Sequence, residues 1–323
     1  MGVAEKLLAR FNHSVDELAS FLHDYRTEDT IAIFGSPRSG STWLMELLES
    51  IPGYKSVFEP FHPRWYPEFG RDGFPYTPYV PDDAELAWLN DYLKRVFSGR
   101  VHAMFPYRRP MLSRLRASRL VVKFVRANTV LPWVAGNFRL RGLYFIIRHP
   151  CATIASQLAT GFFSKITIEQ LLNEVNKVPE LAENWELVTR LRGINSEIER
   201  LAAIWAFENY IPLASKKPYP WYTVIYERLV VNPEGELKGI FGYIEEEVPE
   251  GAVKRIKTPS KVTRKTYGRD YIGTPRQLIK WREKLSERQV EDILKVVSWF
   301  GMDFYTEEPE PDYDALLNWR PPF

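Results

Sequence analysis

The chain has a single cysteine, Cys151, in 323 residues. That excludes an internal disulfide framework and a Cys-rich zinc site, and it fits a reducing compartment such as the cytoplasm. Apolar runs long enough to cross a bilayer are also missing; the most apolar stretch, Leu143 to Ile147, is strand-sized, so no membrane span is expected. Met1 to Leu22 has no secretory hydrophobic region, because Glu5, Lys6, Arg10 and Asp16 interrupt it. The spacing of Leu7, Leu8, Phe11, Val15, Leu18 and Leu22 instead predicts an amphipathic helix there. A third shortage is local. From Tyr92 to Ile168 there is no Asp or Glu, while 14 Lys and Arg occur; the formal net charge of the whole chain is +2, so the remainder sums to −12. The balanced total disfavours a general polyanion binder, and no nucleic-acid partner is expected, but the basic middle favours a local anion site.

What is present is a large apolar content. The chain is 45% hydrophobic, with 10 Trp, 17 Tyr and 19 Phe, which excludes disorder and supplies a sizeable core. Four apolar runs rich in β-branched and aromatic residues read as buried strands: Thr30 to Phe34, Leu120 to Val125, Leu143 to Ile147 and Tyr222 to Tyr226. Lys55 to Phe58 is a candidate fifth. Material with helical periodicity or turn residues separates them, which predicts an α/β fold with a central, mostly parallel sheet flanked by helices. The longest helical pattern runs from Pro275 to Phe300. Pro60 to Tyr79 interleaves prolines with aromatics and reads as a loop or lid. The acidic, Pro-rich stretch from Thr306 to Phe323 either wraps the surface or frays. With no repeat or linker, the expectation is one domain over 1–323 carrying an insert at about 60–119.

The strongest local signal is Ile31-Ala32-Ile33-Phe34-Gly35-Ser36-Pro37-Arg38-Ser39-Gly40-Ser41-Thr42: strand, glycine-bracketed turn, helix start. Gly35 and Gly40 let backbone N–H groups curl around an anion, and the helix adds its positive end. This is P-loop-like architecture, so the fold expected is a three-layer P-loop-like one. A nucleotide triphosphatase would carry Lys followed by Ser or Thr after the second glycine; here Ser41-Thr42 follows directly and the cation is Arg38. Strands that would offer metal carboxylates end in Arg126 and Arg148 instead, so no metal is expected. Such a site suits transfer of a group less charged than phosphoryl, and sulfuryl fits.

Pro37-Arg38-Ser39-Gly40-Ser41-Thr42-Trp43 resembles the 5′-phosphosulfate loop of sulfotransferases that use 3′-phosphoadenosine 5′-phosphosulfate (PAPS). Tyr144 to Pro150, continuing to Ser156, is similar to that family's strand-Arg-x-Pro-helix element. The resemblance implies PAPS as donor and the bisphosphate PAP as product. Ser36, Pro37, Arg38, Ser39, Gly40, Ser41 and Thr42 would hold the 5′ side, and Arg148 and Ser156 the 3′-phosphate. Weaker similarities lie at Val122 to Arg126, Val224 to Pro233, Arg264-Lys265-Thr266 and Trp281 to Leu285, and would add Arg264 and Lys265 as nucleotide contacts. The family's cytosolic members often carry Lys where Arg38 stands and Arg-Lys-Gly where this chain has Arg-Lys-Thr. The chain is thus nearer the carbohydrate-type or bacterial-type members.

The attacking hydroxyl must lose a proton. In carbohydrate-type members a Glu-Pro segment after the second strand supplies the proposed carboxylate, which implies Glu59; His62, with its near-neutral ordinary pKa, is the alternative base. Arg38 is the candidate for charge developing on the leaving oxygen. The acceptor expected is a small molecule or glycan, through a hydroxyl or less readily an amine. Trp65, Tyr66, Phe69, Phe74, Tyr76 and Tyr79 could wall its pocket, and Arg108, Arg109, Arg114, Arg116 and Arg119 could steer anions. A P-loop kinase and a non-catalytic adenosine-bisphosphate or anion-binding module are the competing readings.

Overall fold

Five short apolar runs form the strands β1 (Ile31–Gly35), β2 (Tyr54–Phe58), β3 (Arg119–Phe124), β4 (Gly142–Ile147) and β5 (Tyr222–Ile225). The computed structural model describes residues 3–63, 65–66, 69, 77–103, 111–161, 165–258 and 276–323. All strand pairs are parallel, in the order β2-β3-β1-β4-β5. Parallel strands joined by helical crossovers are covered on both faces, which is why each reads as an apolar run.

Alternation along the strands divides the core in two. Ala32, Phe34, Leu120, Val122, Phe124, Leu143, Phe145 and Ile147 point into one cluster with Trp133, Ile154, Trp205 and Val290. Ile31, Ile33, Val121, Tyr144, Ile146 and Val224 point into the other with Leu44, Leu229, Leu237 and Ala252. Sheet between two helical layers gives the three-layer α/β architecture. Register levels the carboxyl ends: Phe34 pairs with Phe124 and Phe145, Phe58 with Lys123, and Ile147 with Ile225.

Several expectations change. The pattern from Pro275 to Phe300 is not one helix among the described residues; it divides into Arg276–Ile279, a 3-10 turn Lys280–Glu283 and helix Glu287–Ser298. Ser286 caps the last one, its hydroxyl accepting from the Gln289 N–H while the Gln289 side chain accepts from the Ser286 N–H, and this capping box starts a new helix inside the periodic run. The strand expected through Tyr226 stops at Ile225, and Tyr226 opens helix Tyr226–Val231. The acidic tail wraps rather than frays. Asp312 caps helix Tyr313–Asn318, Leu316 and Trp319 are buried, and the Trp319 indole donates to the Gly301 carbonyl at 2.6 Å.

Of the insert's described aromatics and arginines, Tyr66, Phe69, Arg114 and Arg119 are held in packing contacts, while Arg116 is exposed. Tyr66 and Phe69 are buried, and the Phe69 ring stacks on Phe61. Arg114 is buried against Asp16 and Asn12, and Arg119 lies over the Tyr54 ring, so neither steers anions at the loop. Phe74, Tyr76, Arg108 and Arg109 lie outside the described residues. The first helix, Val3–Leu22, forms as expected, but it turns Ala9, Asn12, Val15 and Ala19 inward and leaves Leu7, Phe11, Leu18 and Leu22 exposed. No described helix is long and apolar enough to cross a membrane.

Candidate functional site

The sheet order reverses at β1: the chain builds β2 and β3 on one side and β4 and β5 on the other. In open parallel sheets the crevice at the carboxyl ends beside such a reversal is where ligands bind. Emerging there are the loop after β1, Glu59 after β2, Arg126 after β3, Arg148 after β4 and Tyr226 after β5. Three non-glycine residues at this edge have positive φ: Arg38 at 73°, Glu59 at 51° and Arg126 at 65°. Left-handed backbone costs an L-residue on the order of 1–2 kcal/mol, so the surroundings over-determine these turns.

The loop closes on itself through the Ser39 N–H, which donates to the Ser36 carbonyl at 3.0 Å. Gly40, at φ 97°, leads into helix Ser41–Leu48, and a Cβ there would lie 2.5 Å from the Tyr226 ring. Only glycine meets both demands. No side chain among the described residues caps this helix, which leaves its first N–H groups for an anion.

Below the loop, the Ser36 hydroxyl accepts from the side-chain amides of Asn128 and Asn209, each at 3.3 Å, and hydrogen-bonds the carboxyl of Glu208. Thr77 donates to that same carboxyl at 3.1 Å. Burial pushes Glu208 up to about 7, against the pull of these hydrogen bonds and of Arg126. Ser36 therefore spends its hydroxyl inward, as the loop's anchor.

Side-on, three hydrogen bonds fasten the loop to the β4 element. Arg38 Nε donates to Ser156 Oγ at 3.0 Å, Arg148 Nη1 to the Arg38 carbonyl at 3.0 Å, and Gln157 Nε2 to the Pro37 carbonyl at 2.9 Å. The Arg148 guanidinium also lies 4.2 Å above the Tyr226 ring. Arg38, Arg148 and Ser156, predicted from separate motifs, thus meet at one place. Ser39 Oγ and Arg148 Nε are buried there without a hydrogen-bond partner among the described residues. Buried donors are rarely left unmatched, and both suit the oxygens of an anionic ligand, as does the open helix start.

The other half of the site is built on Lys123. This side chain, 2% exposed, is the one cation in an otherwise apolar β3 interior. Its ammonium donates to Glu59 Oε1 at 2.7 Å and to Thr42 Oγ1 at 3.3 Å, and sits 3.6 Å from the Phe58 ring centre. Burial lowers the lysine's pKa, with Glu59 opposing the shift and Arg38 and Arg126 adding to it. Glu59 and Thr42 are therefore no farther apart than those two bonds laid end to end. The Glu59 N–H donates to the Lys123 carbonyl at 2.8 Å, continuing the β2–β3 ladder and fixing the turn. His62 lies one turn on, its N–H donating to the Glu59 carbonyl and its ring stacked 3.8 Å from Trp65.

His149 belongs to the Arg148 turn. Its Nδ1 accepts from the Cys151 N–H at 3.1 Å, so the proton sits on Nε2, which donates to the Thr306 carbonyl at 2.9 Å; burial lowers its pKa to about 4. The His149 N–H donates to Glu227 at 2.9 Å, and the Tyr305 hydroxyl holds the other oxygen. Burial likewise raises Glu227 to about 7. The tail thereby braces the strand end from which Arg148 projects.

Of the remaining predicted residues, Ser41 is buried at the helix start, and Arg264 and Lys265 lie outside the described residues. Sequence reasoning met Lys123 only as part of the weaker similarity at Val122 to Arg126 and gave it no role, and it did not single out Gln157, Asn128, Asn209 or Glu208. A lysine inside an apolar strand, and polar side chains such as Gln157, Glu208 and Asn209 inside largely apolar helical runs, were the available signals.

The chain matches no family model and no curated protein. Among solved structures it is similar to the sulfotransferase domain of the Synechococcus PCC 7002 olefin synthase, at 19% identity and TM-score 0.42, covering 85% of this chain and 95% of that one. It is similar to the sulfotransferase domain from the curacin biosynthetic pathway, at 15% identity and TM-score 0.45, covering 85% and 98%. A third is mouse sulfotransferase SULT7A1 complexed with PAP, at 13% identity and TM-score 0.44, covering 87% and 88%.

Proposed function

We propose that this chain is a sulfotransferase that moves a sulfuryl group from PAPS to a hydroxyl, less readily an amine, of a small molecule or glycan. The observation that carries the reading is the meeting of Arg38, Ser156 and Arg148 on an uncapped, glycine-led helix start beside the sheet's order reversal. Two arginines, backbone N–H groups and hydroxyls answer a donor that is multiply anionic at both ends.

In this reading the N–H groups of Ser39 to Thr42, with the Ser41 and Thr42 hydroxyls, hold the 5′-phosphosulfate. Ser36 contributes backbone only. Arg148, with Ser156, holds the 3′-phosphate. PAPS supplies the activated sulfuryl group. Arg38 stabilises charge on the departing phosphate oxygen, a contribution of several kcal/mol when the cation is preorganised. Glu59 takes the acceptor proton. What favours it over His62 is the Lys123 bridge, which ties its carboxylate to the same helix start that holds the donor. Lys123 positions both. The lone, buried Cys151 suits a reducing compartment such as the cytoplasm.

The test is transfer of labelled sulfate from PAPS to a panel of hydroxyl and amine acceptors, alongside thermal shift with PAP and ATP. Stabilisation by PAP and label transfer to an acceptor are expected. Transfer of the γ-phosphate of ATP in the presence of Mg²⁺, with none from PAPS, would establish the kinase alternative. PAP binding without turnover on any acceptor would establish the binding module.

A further inference from the structure

The first helix, Val3–Leu22, packs against the body through a seam of small and polar residues, Ala9, Asn12, Val15 and Ala19, held by Arg114 on Asp16 and Asn12. Its larger apolar residues face away. Leu7, Phe11, Leu18, Phe21 and Leu22 are between 48% and 88% exposed. Scattered exposed apolar residues are ordinary, but these follow a rule: Leu7, Phe11, Ser14, Leu18 and Phe21 are spaced 4, 3, 4 and 3 apart. That is the spacing of a coiled-coil seam, on a helix about 30 Å long. The smallest residue, Ser14, stands at the middle, where two such helices could approach most closely.

Charge decides the occupant. Arg10 and Glu17 flank the seam on the same side, one before Phe11 and one before Leu18, and both are exposed. Glu17 is met within the helix by His13 at 3.4 Å. If a second copy of this helix lies antiparallel, with the two-fold axis at Ser14, Leu7 of each copy is level with Phe21 of the other, while Arg10 comes within one residue of the level of Glu17 and Phe11 within one residue of the level of Leu18. In-register parallel pairing would instead put Arg10 level with Arg10 and Glu17 level with Glu17, with no opposite charge at either level. A two-fold axis makes every such contact twice, so one helix supplies a self-complementary surface.

We propose that this face is a homodimer interface, in which the helix Val3–Leu22 pairs antiparallel with its counterpart in a second copy of the chain. The inference is independent of the sulfotransferase reading.

The test is sedimentation equilibrium of the full chain from low to high micromolar concentration. Reversible dimerisation is expected, abolished in Phe11→Asp/Leu18→Asp and weakened at least tenfold in Arg10→Glu. The double exchange Arg10→Glu/Glu17→Arg restores it, because both cross-pairs are rebuilt with reversed sign. Because buried Cys151 is the chain's lone cysteine, Ser14→Cys forms a disulfide-linked dimer on mild oxidation whereas Lys6→Cys does not. A wild-type chain that stays monomeric over the range overturns the proposal. So does a dimer unaffected by these substitutions, or a monomer that binds anionic phospholipid vesicles through this face.

Discussion

Replacing Lys123 by methionine isolates the bridge between the donor loop and the candidate base. Methionine keeps the apolar stem beside Phe58 but removes the ammonium that touches Glu59 Oε1 and Thr42 Oγ1. Removing one partner of a buried ion pair costs about 3–5 kcal/mol, because the other charge is left desolvated. Glu59 keeps 13% side-chain exposure and can recover some water, which places the expected loss at the lower end, about 3 kcal/mol. In a chain of 323 residues that lowers the melting temperature by roughly 4–5 °C. Lysine 123 is itself opposed by burial, so removing both charges relieves two penalties together. The double variant Lys123→Met/Glu59→Gln is therefore expected to recover most of the loss, with a coupling energy of about 2 kcal/mol in a double-mutant cycle. Chemical unfolding of the four proteins measures it. Additivity within about 0.5 kcal/mol would refute the claim that Lys123 acts on Glu59.

Arg38→Ala is expected to lower turnover far more than PAPS affinity; turnover within about threefold of wild type would remove Arg38 from catalysis. Arg148→Ala loses charge-assisted hydrogen bonds worth about 1.5–3 kcal/mol each, so PAP affinity measured by calorimetry should fall at least tenfold. Glu208→Gln tests the loop anchor through pH. Its folded pKa of about 7 lies above the ordinary 4.5, so the folded state holds the proton longer, and the stability this gives is full below 4.5 and lost as pH rises through 7. Glutamine stays neutral, so the wild type should lose about 3 kcal/mol relative to the variant between about pH 4.5 and pH 8. Glu227 has the same sign and His149 the opposite, but both are common to the two proteins and cancel in the difference. Parallel pH curves would contradict the buried assignment.

The sheet was legible because parallel strands buried on both faces leave apolar runs, and the runs overshot their strands by no more than one residue, at Thr30, Val125 and Tyr226. The loop was legible from Gly35 and Gly40, whose spacing reflects a turn that no side chain fits. Arg148 and Ser156 could be placed together because both lie on one strand-helix element. Lys123 could not, since its contacts depend on β3 lying between β1 and β2, a neighbour relation that no local pattern encodes. The Ser36 anchor likewise draws Asn128 and Asn209 from segments far apart in the chain. Periodicity misjudged the 275–300 region because a capping box can restart a helix without disturbing the apolar spacing. It also gave the first helix an apolar face without saying which face the body would cover.

The central claim is that the paired-arginine crevice handles an activated sulfate. The most direct measurement is transfer of labelled sulfate from PAPS by wild type and by Glu59→Gln under saturating donor. Wild type should label a hydroxyl acceptor, and Glu59→Gln should bind PAP normally while losing at least about a hundredfold in turnover, as expected for a general base. Full turnover in Glu59→Gln would contradict the assignment of the base, and an absence of sulfate transfer by wild type to every acceptor, with PAP unbound, would contradict the function itself.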